Sequence, residues 1–218
     1  MNTAFQFGEQ VEGYDIPVLN EREIRAAAGI LFLVIFTAFL LIILKGDFVL
    51  AKYAITLFFT DFVIRVAISP RFSPALIIAR FIVRGQVPEY VGAKQKRIAW
   101  TIGIFLSLTM LIFMIIMNSY SPVTGIVCLF CMVFLFFESA FGICLACKCY
   151  GWFYKDKAQY CPGEVCAVKD RQPIQKISLS QVLVVALFIG YIFLIADLLS
   201  DNFRVSPHNL FKKEIKSK

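Results

Sequence analysis

The polarity of the chain changes within one stretch, Phe134–Cys149, which reads FLFFESAFGICLACKC. Its first half is apolar enough for lipid and carries one carboxylate, that of Glu138. Its second half brings together three cysteines, Cys144, Cys147 and Cys149, and the chain that follows is polar and basic. We interpret the stretch as the end of a membrane helix that delivers thiols to the boundary between membrane and water.

The composition of the whole chain agrees with this interpretation. Of its 218 residues 59% are hydrophobic, whereas a soluble domain has about 45–50% apolar residues. The apolar residues form runs long enough to span a bilayer, and in lipid such runs must be helical to satisfy their backbone. The net charge is +7, but the basic residues flank the apolar runs. We therefore expect the lipid bilayer as a partner and no nucleic acid.

The order of polar and apolar segments predicts an all-α fold, a polytopic transmembrane helix bundle. It has four core spans, a carboxy-terminal fifth span and one interfacial amphipathic helix. The core spans are expected at 26–44, 48–68, 98–117 and 124–147. The predicted organisation is an amino-terminal arm (1–25), a four-helix membrane core (26–155) with the interfacial helix at 73–84, a cysteine-containing loop (156–177), a fifth transmembrane helix (178–199) and a basic tail (200–218).

Two of the helix starts carry local signals. Asn20 can cap the first helix, with Glu23 three residues further on. Ser73 can cap the interfacial helix, with Pro74 at its first position. The sequence therefore places both starts just inside the polar segments that flank them.

The basic residues also predict an orientation. With five spans, 14 Lys and Arg residues lie on the side of the amino terminus and 7 on the other side. The positive-inside bias then places the amino terminus and the cysteine loop in the cytoplasm. The basic tail opposes this assignment; if the fifth segment does not cross, the tail joins the cytoplasmic side and the bias becomes stronger.

The second span contains charged residues that lipid does not favour. Asp61 and Arg65 are four residues apart and share one helical face. They can form a structural ion pair near the membrane boundary, or a proton or substrate site that faces the bundle interior. Lys52 lies near the start of the span, where we expect its ammonium group to reach the surface.

The thiols suggest a site at the end of the fourth span. The predicted helix runs through Cys147, so Cys144 and Cys147 are about 60° apart around it and can face one site. Cysteine pairs in the cytoplasm are more often catalytic or metal-binding than structural disulfides. The dipole at a helix carboxyl end, however, disfavours thiolates. Cys128 and Cys131 lie deeper in the span and are interpreted as small hydrophobic residues.

A metal site is an alternative use of the same thiols. Cys161 and Cys166 bracket a turn, and together with Cys144 and Cys147 they supply four sulfur ligands, the number that zinc prefers. The spacing does not match a standard zinc ribbon. The sequence requires no cofactor, although this set could hold zinc.

Several motifs resemble those of a bacterial membrane family known only as a domain of unknown function, number 4395. They are Asn20-Glu21-Arg22, Asp61–Arg65, Ser69–Pro74, Lys96-Arg97, and Glu138 with Phe141–Cys147. The resemblance covers about residues 15–155 and maps the family motif onto Asp61, Arg65, Glu138, Cys144 and Cys147. It implies a multi-span protein of the bacterial cytoplasmic membrane with no established activity. Occasional fusion of such domains to thioredoxin-like proteins implies a thioredoxin-like partner.

Three functional hypotheses follow from these residues. The first is thiol-based redox or sulfur handling by Cys144 and Cys147, with Cys161 and Cys166 as an accepting pair. In this hypothesis Glu138, Asp61 and Arg65 form a buried polar network behind the thiols. The second is a small transporter, channel or structural subunit of a membrane complex without thiol chemistry, and the third is the metal site. The sequence leaves open whether the protein is an enzyme.

Overall fold

The computed structural model describes residues 7–145 and 176–209, and most of them are helical. Four helices in these ranges are long and apolar enough to cross a membrane, which makes this a multi-pass membrane protein. Large apolar side chains such as Leu33, Phe105 and Leu187 are exposed on their outer faces, as lipid contact requires. The helices are α1 (Glu21–Lys45), α2 (Val49–Val63), α3 (Pro74–Val83), α4 (Ala93–Leu111), α5 (Pro122–Phe141), α6 (Leu179–Leu198) and α7 (Ser200–Arg204).

Two of the helices continue in a wider helical form. Helix α2 runs on as a π-helix over Ile64–Ile68, and α4 runs on as a π-helix over Ile112–Ile116. A single 3-10 turn over Pro70–Phe72 then joins α2 to α3. The predicted second span is therefore continuous helix from Val49 to Ile68. Because it contains three charged residues, it is not one of the four helices counted above as apolar enough to cross a membrane.

Two pairs of short strands lie at the ends of the bundle. Strand β1 (Val18–Asn20) pairs antiparallel with β2 (Tyr90–Gly92), and Val18 lies opposite Gly92. Strand β3 (Ser119–Tyr120) pairs in parallel with β4 (His208–Asn209) at the other end. Each strand has only two or three residues, so the predicted all-α bundle is confirmed.

Helix α1 is central to the packing, since it contacts α2, α3 and α5, while α4 packs against α2 and α5. The buried core lies toward the end where α1 and α4 begin. It includes the side chains of Ala27, Phe58, Phe62, Ala79, Trp100 and Leu135. This is also the end at which α2 and α5 finish, and we call it the boundary end of the bundle.

Both predicted helix caps are present. The Asn20 side chain accepts a hydrogen bond from the backbone N–H of Arg22 at 3.2 Å and donates one to Glu23 at 3.1 Å. The Ser73 hydroxyl accepts from the N–H of Leu76 at 3.2 Å, and Pro74 is the first residue of α3. The helix predicted at 73–84 is therefore observed as α3, with Phe81 and Ile82 exposed on its outer face.

The end of the fourth core span differs from the prediction. Helix α5 ends at Phe141, not near Cys147, because Gly142 adopts a left-handed conformation with φ +66°. Its N–H donates to the carbonyl of Glu138 at 3.1 Å and closes the last turn. The expectation that the fourth span continues as one helix through Cys144 was therefore wrong, since Cys144 lies beyond the end of α5.

Candidate functional site

Asp61 and Arg65 join the end of α2 to the start of α3. Their side chains form the expected ion pair, with Arg65 Nη2 2.6 Å from Asp61 Oδ2, and both are buried. The other Asp61 oxygen accepts from the Ser73 hydroxyl at 2.7 Å and from the N–H of Ala75 at 3.0 Å. Because both carboxylate oxygens are occupied, these contacts support a structural clamp between two helices.

The Arg65 guanidinium also lies against aromatic rings. Its central carbon is 4.7 Å from the Phe62 ring centroid and 5.1 Å from that of Trp100. Its Nε donates to the Ser73 hydroxyl at 3.2 Å. Contacts of this kind stabilise a cation in a region that water does not reach.

Lys96, at the start of α4, bridges two carboxylates from different helices. Its ammonium nitrogen is 2.9 Å from Glu21 Oε2 on α1 and 2.8 Å from Glu138 Oε1 on α5. Glu21 and Lys96 are almost completely buried, and the side chain of Glu138 is 15% exposed. The three helices are thereby held together by one cation and two anions.

A second buried pair lies beside this bridge. Arg80 Nε on α3 donates to Glu23 Oε2 on α1 at 3.0 Å, and both side chains are buried. We call the residues of the two clusters and of the Asp61 clamp the boundary network. It comprises Glu21, Glu23, Asp61, Arg65, Arg80, Lys96 and Glu138.

The predicted network of Glu138 with Asp61 and Arg65 is divided in the structure. Glu138 pairs with Lys96, whereas Asp61 and Arg65 pair with each other and with α3. Trp100 connects the two parts, since it lies against Arg65 and lines the same cavity as Glu138. The polar groups therefore share one end of the bundle without forming a single hydrogen-bonded chain.

Cys144 lies at this end, in a small cavity that we call the thiol cavity. It has a volume of about 50 Å³, and its lining includes Trp100, Cys131, Glu138, Cys144 and Leu145. The cavity therefore brings a partly exposed thiol and the Glu138 carboxylate to one space. It is large enough for a water molecule, which needs about 10–15 Å³ of such volume.

Gly142 and Arg25 lie at the carboxyl end of α5, just before the segment that carries Cys144. The Arg25 guanidinium donates to the carbonyl of Ala140 at 3.3 Å, at the carboxyl end of α5. A β-carbon on Gly142 would lie 3.3 Å from the same guanidinium, and its φ is already unfavourable for other residues. This accounts for a glycine two residues before Cys144.

The cysteines inside α5 have different surroundings. Cys128 and Cys131 both line an apolar cavity of about 190 Å³ between α1, α2, α4 and α5, with Phe58 and Met110 among its other walls. Both are partly buried and neither is in a disulfide. Cys131 lines the thiol cavity as well.

The remaining predicted thiol residues, Cys147, Cys161 and Cys166, lie outside the described residues. The proposed four-sulfur metal set is therefore not described beyond Cys144. Within 7–145 and 176–209, no three His, Cys, Asp or Glu side chains are grouped so that they could hold a metal ion.

Sequence reasoning missed the partners of Glu138 and Arg80. Glu21 and Glu23 were assigned to the start of the first helix and Lys96 to the polar segment before the third core span, and their burial was not expected. The signal was present, because Glu21 and Glu23 lie just before one long apolar run and Lys96 lies just before another. Charges at such positions can turn inward when opposite charges lie on neighbouring helices.

A family model described as Domain of unknown function (DUF4395) matches residues 19–155. The chain belongs to the DUF4395 family. Neither the search of curated proteins nor the search of solved structures found a match. The DUF4395 region contains the whole boundary network and Cys144, as well as Cys147, while Cys161, Cys166 and helix α6 lie beyond it.

Proposed function

We propose that this DUF4395 protein is a membrane-embedded thiol protein in which Cys144 and Cys147 form the working pair. The observation that supports the proposal is the thiol cavity, where Cys144 and Glu138 share one space at the boundary end. Dithiol exchange requires a thiol that a partner can reach and a group that can take its proton. Cys144 is partly exposed and Glu138 is the carboxylate on the same cavity wall.

The proposed reaction is exchange with the disulfide of a thioredoxin-like protein. The Cys144 thiolate attacks one partner sulfur, forming a mixed disulfide and releasing the other partner sulfur as a thiolate. Cys147 then attacks the Cys144 sulfur and releases the second partner sulfur. The pair is oxidised by two electrons and loses two protons, and the partner disulfide is reduced to a dithiol. In the reverse direction the dithiol of the partner reduces the Cys144–Cys147 disulfide and is itself oxidised to a disulfide. The regenerated Cys144 and Cys147 thiols can then reduce a disulfide between Cys161 and Cys166, which are the candidate accepting pair.

Glu138 has a defined position in this proposal. Two carboxylates share the single ammonium group of Lys96, so this part of the network carries one more negative than positive charge. Lys96 thereby fixes the Glu138 carboxylate on the wall of the thiol cavity. We propose that Glu138 accepts the Cys144 proton, and that Asp61 and Arg65 position the helices around it.

A trapping experiment tests the thiol proposal. In the Cys149→Ser background, Cys147→Ser should hold the mixed disulfide between Cys144 and an oxidised thioredoxin-like protein, visible as a covalent complex on a non-reducing gel. Cys144→Ser should form no such complex. Cys128→Ser, which changes a thiol of the apolar cavity, is the matched control and should behave as the parent protein does. Equal trapping with and without Cys144 would refute the proposal.

The location proposed for this chemistry is the cytoplasmic side of the bacterial inner membrane. Its support is the excess of basic residues on the side of the amino terminus, which is also the boundary end of the bundle. Labelling of intact cells with a membrane-impermeant thiol reagent tests this orientation. Gly46→Cys, in the connection at the opposite end, should be labelled in intact cells, and Lys94→Cys only after lysis; the reverse pattern would refute it.

A structural role in a membrane complex is the second candidate function. It is favoured by the pairing of charges in the boundary network, in which Asp61, Glu21 and Lys96 each have an opposite charge within 4 Å inside the bundle. In that case Glu138→Gln would impair assembly or stability even in a chain without Cys144. The four-thiol zinc site remains a third candidate, which elemental analysis of the purified chain tests through near-stoichiometric zinc.

A further inference from the structure

A second polar cavity lies at the boundary end, apart from the thiols. It has a volume of about 320 Å³ and lies between the amino-terminal arm, the start of α1, the 3-10 turn and α3. We call it the arginine cavity. Its polar lining includes Glu9, Asn20, Glu23, Ser69, Arg71 and Arg80.

Arg80 lines this cavity and carries an unsatisfied donor. Its side chain is only 7% exposed, and its Nε is used by Glu23. Within the described ranges, its buried Nη1 has no hydrogen-bond partner. A buried guanidinium N–H without an acceptor is unfavourable, so an acceptor in the cavity would stabilise it.

Arg71 supplies a second guanidinium to the same cavity. Its backbone is fixed, since its carbonyl accepts from the Gln181 side chain at 3.0 Å. Its side chain forms no ion pair with any residue in the described part of the chain, although it acts electrostatically on Glu9. Two arginines therefore line one space, and among the described residues only Arg80 of the two has a carboxylate within 4 Å.

Glu9 sets the charge of the cavity. Burial raises the pKa of Glu9, and this effect exceeds the opposing effects of Arg80 and Arg71. Burial also raises the pKa of Glu23, to about 7. Two guanidinium groups and two carboxylates therefore line the cavity, and protonation of either carboxylate leaves an excess of positive charge that a bound anion would balance.

We propose that the arginine cavity binds the phosphate group of a phosphate ester. Guanidinium groups bind phosphate oxygens through short, charge-assisted hydrogen bonds. The cavity lies at the end of the transmembrane helices, where lipid phosphates lie, and α3 beside it exposes the apolar side chains of Ile78, Phe81 and Ile82. The ester is therefore either a phospholipid headgroup or a small soluble phosphate ester, and the experiment separates these sources.

Two binding measurements on the full chain in detergent test the proposal. The first measures the binding of added glycerol 1-phosphate, the soluble probe. The second uses native mass spectrometry to detect phosphatidylglycerol that the purified protein retains. Arg71→Gln should weaken binding at least about tenfold, the effect of losing a charge-assisted hydrogen bond. Arg84→Gln is the matched control, because Arg84 is exposed, stacks on Phe81 and does not line the cavity. Glu9→Gln removes the competing negative charge and should strengthen binding.

The outcomes are distinct. Saturable binding of glycerol 1-phosphate that depends on Arg71 assigns a soluble ester, and retained lipid that depends on Arg71 without such binding assigns a headgroup. Neither form of binding, or equal losses in Arg71→Gln and Arg84→Gln, would overturn the proposal. This test does not depend on the thiol chemistry proposed above. A chain in which serine replaces every cysteine, and which keeps the wild-type unfolding temperature, should bind the phosphate ester as well as the wild type does.

Discussion

The two ends of the bundle hold their charges in different ways. At the boundary end, each buried cation is paired with at least one carboxylate, as in Arg65 with Asp61 or Lys96 with Glu21. At the opposite end, Lys52 is equally buried, but its ammonium group donates to neutral oxygens and to no carboxylate among the described residues. These are Asn118 Oδ1 at 2.8 Å and the backbone carbonyls of Asn202 and Val205 at 3.2 and 2.6 Å.

The two ends therefore hold different parts of the chain together. The paired charges tie α1, α3, α4 and α5 together and leave a carboxylate beside a thiol. Lys52 instead fastens the segment after α6 to α2, so the predicted surface position of its ammonium group was wrong. A long flexible side chain can reach water, but here the carboxy-terminal segment lies over it and supplies the oxygens that water would have supplied.

The largest effect should come from Lys96→Met at the boundary end. It leaves Glu21 and Glu138 without their cation in a buried site, and removing one partner of such a pair destabilises by about 3–5 kcal/mol. Denaturant unfolding in detergent measures the change. Lys94→Met, an exposed change two residues earlier, should have little effect. If both variants are equally stable, the boundary network does not hold the helices together.

Lys52→Met probes the opposite end and should have a smaller effect. The partners it leaves are neutral, and unsatisfied groups of this kind destabilise by about 1–3 kcal/mol. The segment from 199 to 209 should also detach, so trypsin should cleave after Arg204 faster than in the parent protein. Lys45→Met, an exposed change at the same end, is the control. Unchanged cleavage after Arg204 would show that Lys52 does not fasten this segment.

Gly142→Ala should have an intermediate effect that also reaches the thiol site. A β-carbon in the left-handed region destabilises by about 1–2 kcal/mol, and here it would also meet the Arg25 guanidinium. Thermal unfolding measures the loss, and the alkylation rate of Cys144 reports on the cavity. Gly125→Ala, in an open position of the same helix, should be neutral or slightly stabilising. Loss of stability in Gly125→Ala alone would contradict this assignment.

The smallest effect is expected from the pH dependence of Glu9, which faces Arg71, Arg80, Glu23 and Tyr90. Burial raises the pKa of Glu9 above 4.5, so the folded chain binds its proton more tightly than the unfolded chain does. The contribution of Glu9 to stability is therefore present at low pH. It is lost as the pH rises from about 4 through the raised pKa. The difference in the pH dependence of the free energy of unfolding between wild type and Glu9→Gln isolates the contribution of Glu9. A difference of opposite sign would show that Arg71 and Arg80 affect the pKa of Glu9 more than burial does.

Much of the fold follows from local patterns. The helices of the bundle follow from apolar runs, and the starts of α1 and α3 follow from Asn20 and from Ser73 with Pro74. The pair of Asp61 and Arg65 was also predictable, since four residues on one helix fix their separation.

The rest depends on contacts between distant parts of the chain. Lys96 finds Glu21 and Glu138, which are 75 and 42 residues away, and no spacing rule connects them. The end of α5 was missed because an apolar run continues past Gly142, and only the backbone conformation of that glycine ends the helix. Lys52 was misplaced because its partners come from the segment after α6.

The proposed function requires that Cys144 and Cys147 change oxidation state reversibly. A redox titration of the purified chain in thiol and disulfide buffers, followed by differential alkylation and mass spectrometry, measures it. We predict that one two-electron transition will convert both cysteines together, while the alkylation of Cys128 stays constant. If Cys144 and Cys147 remain thiols at every potential tested, the account is contradicted.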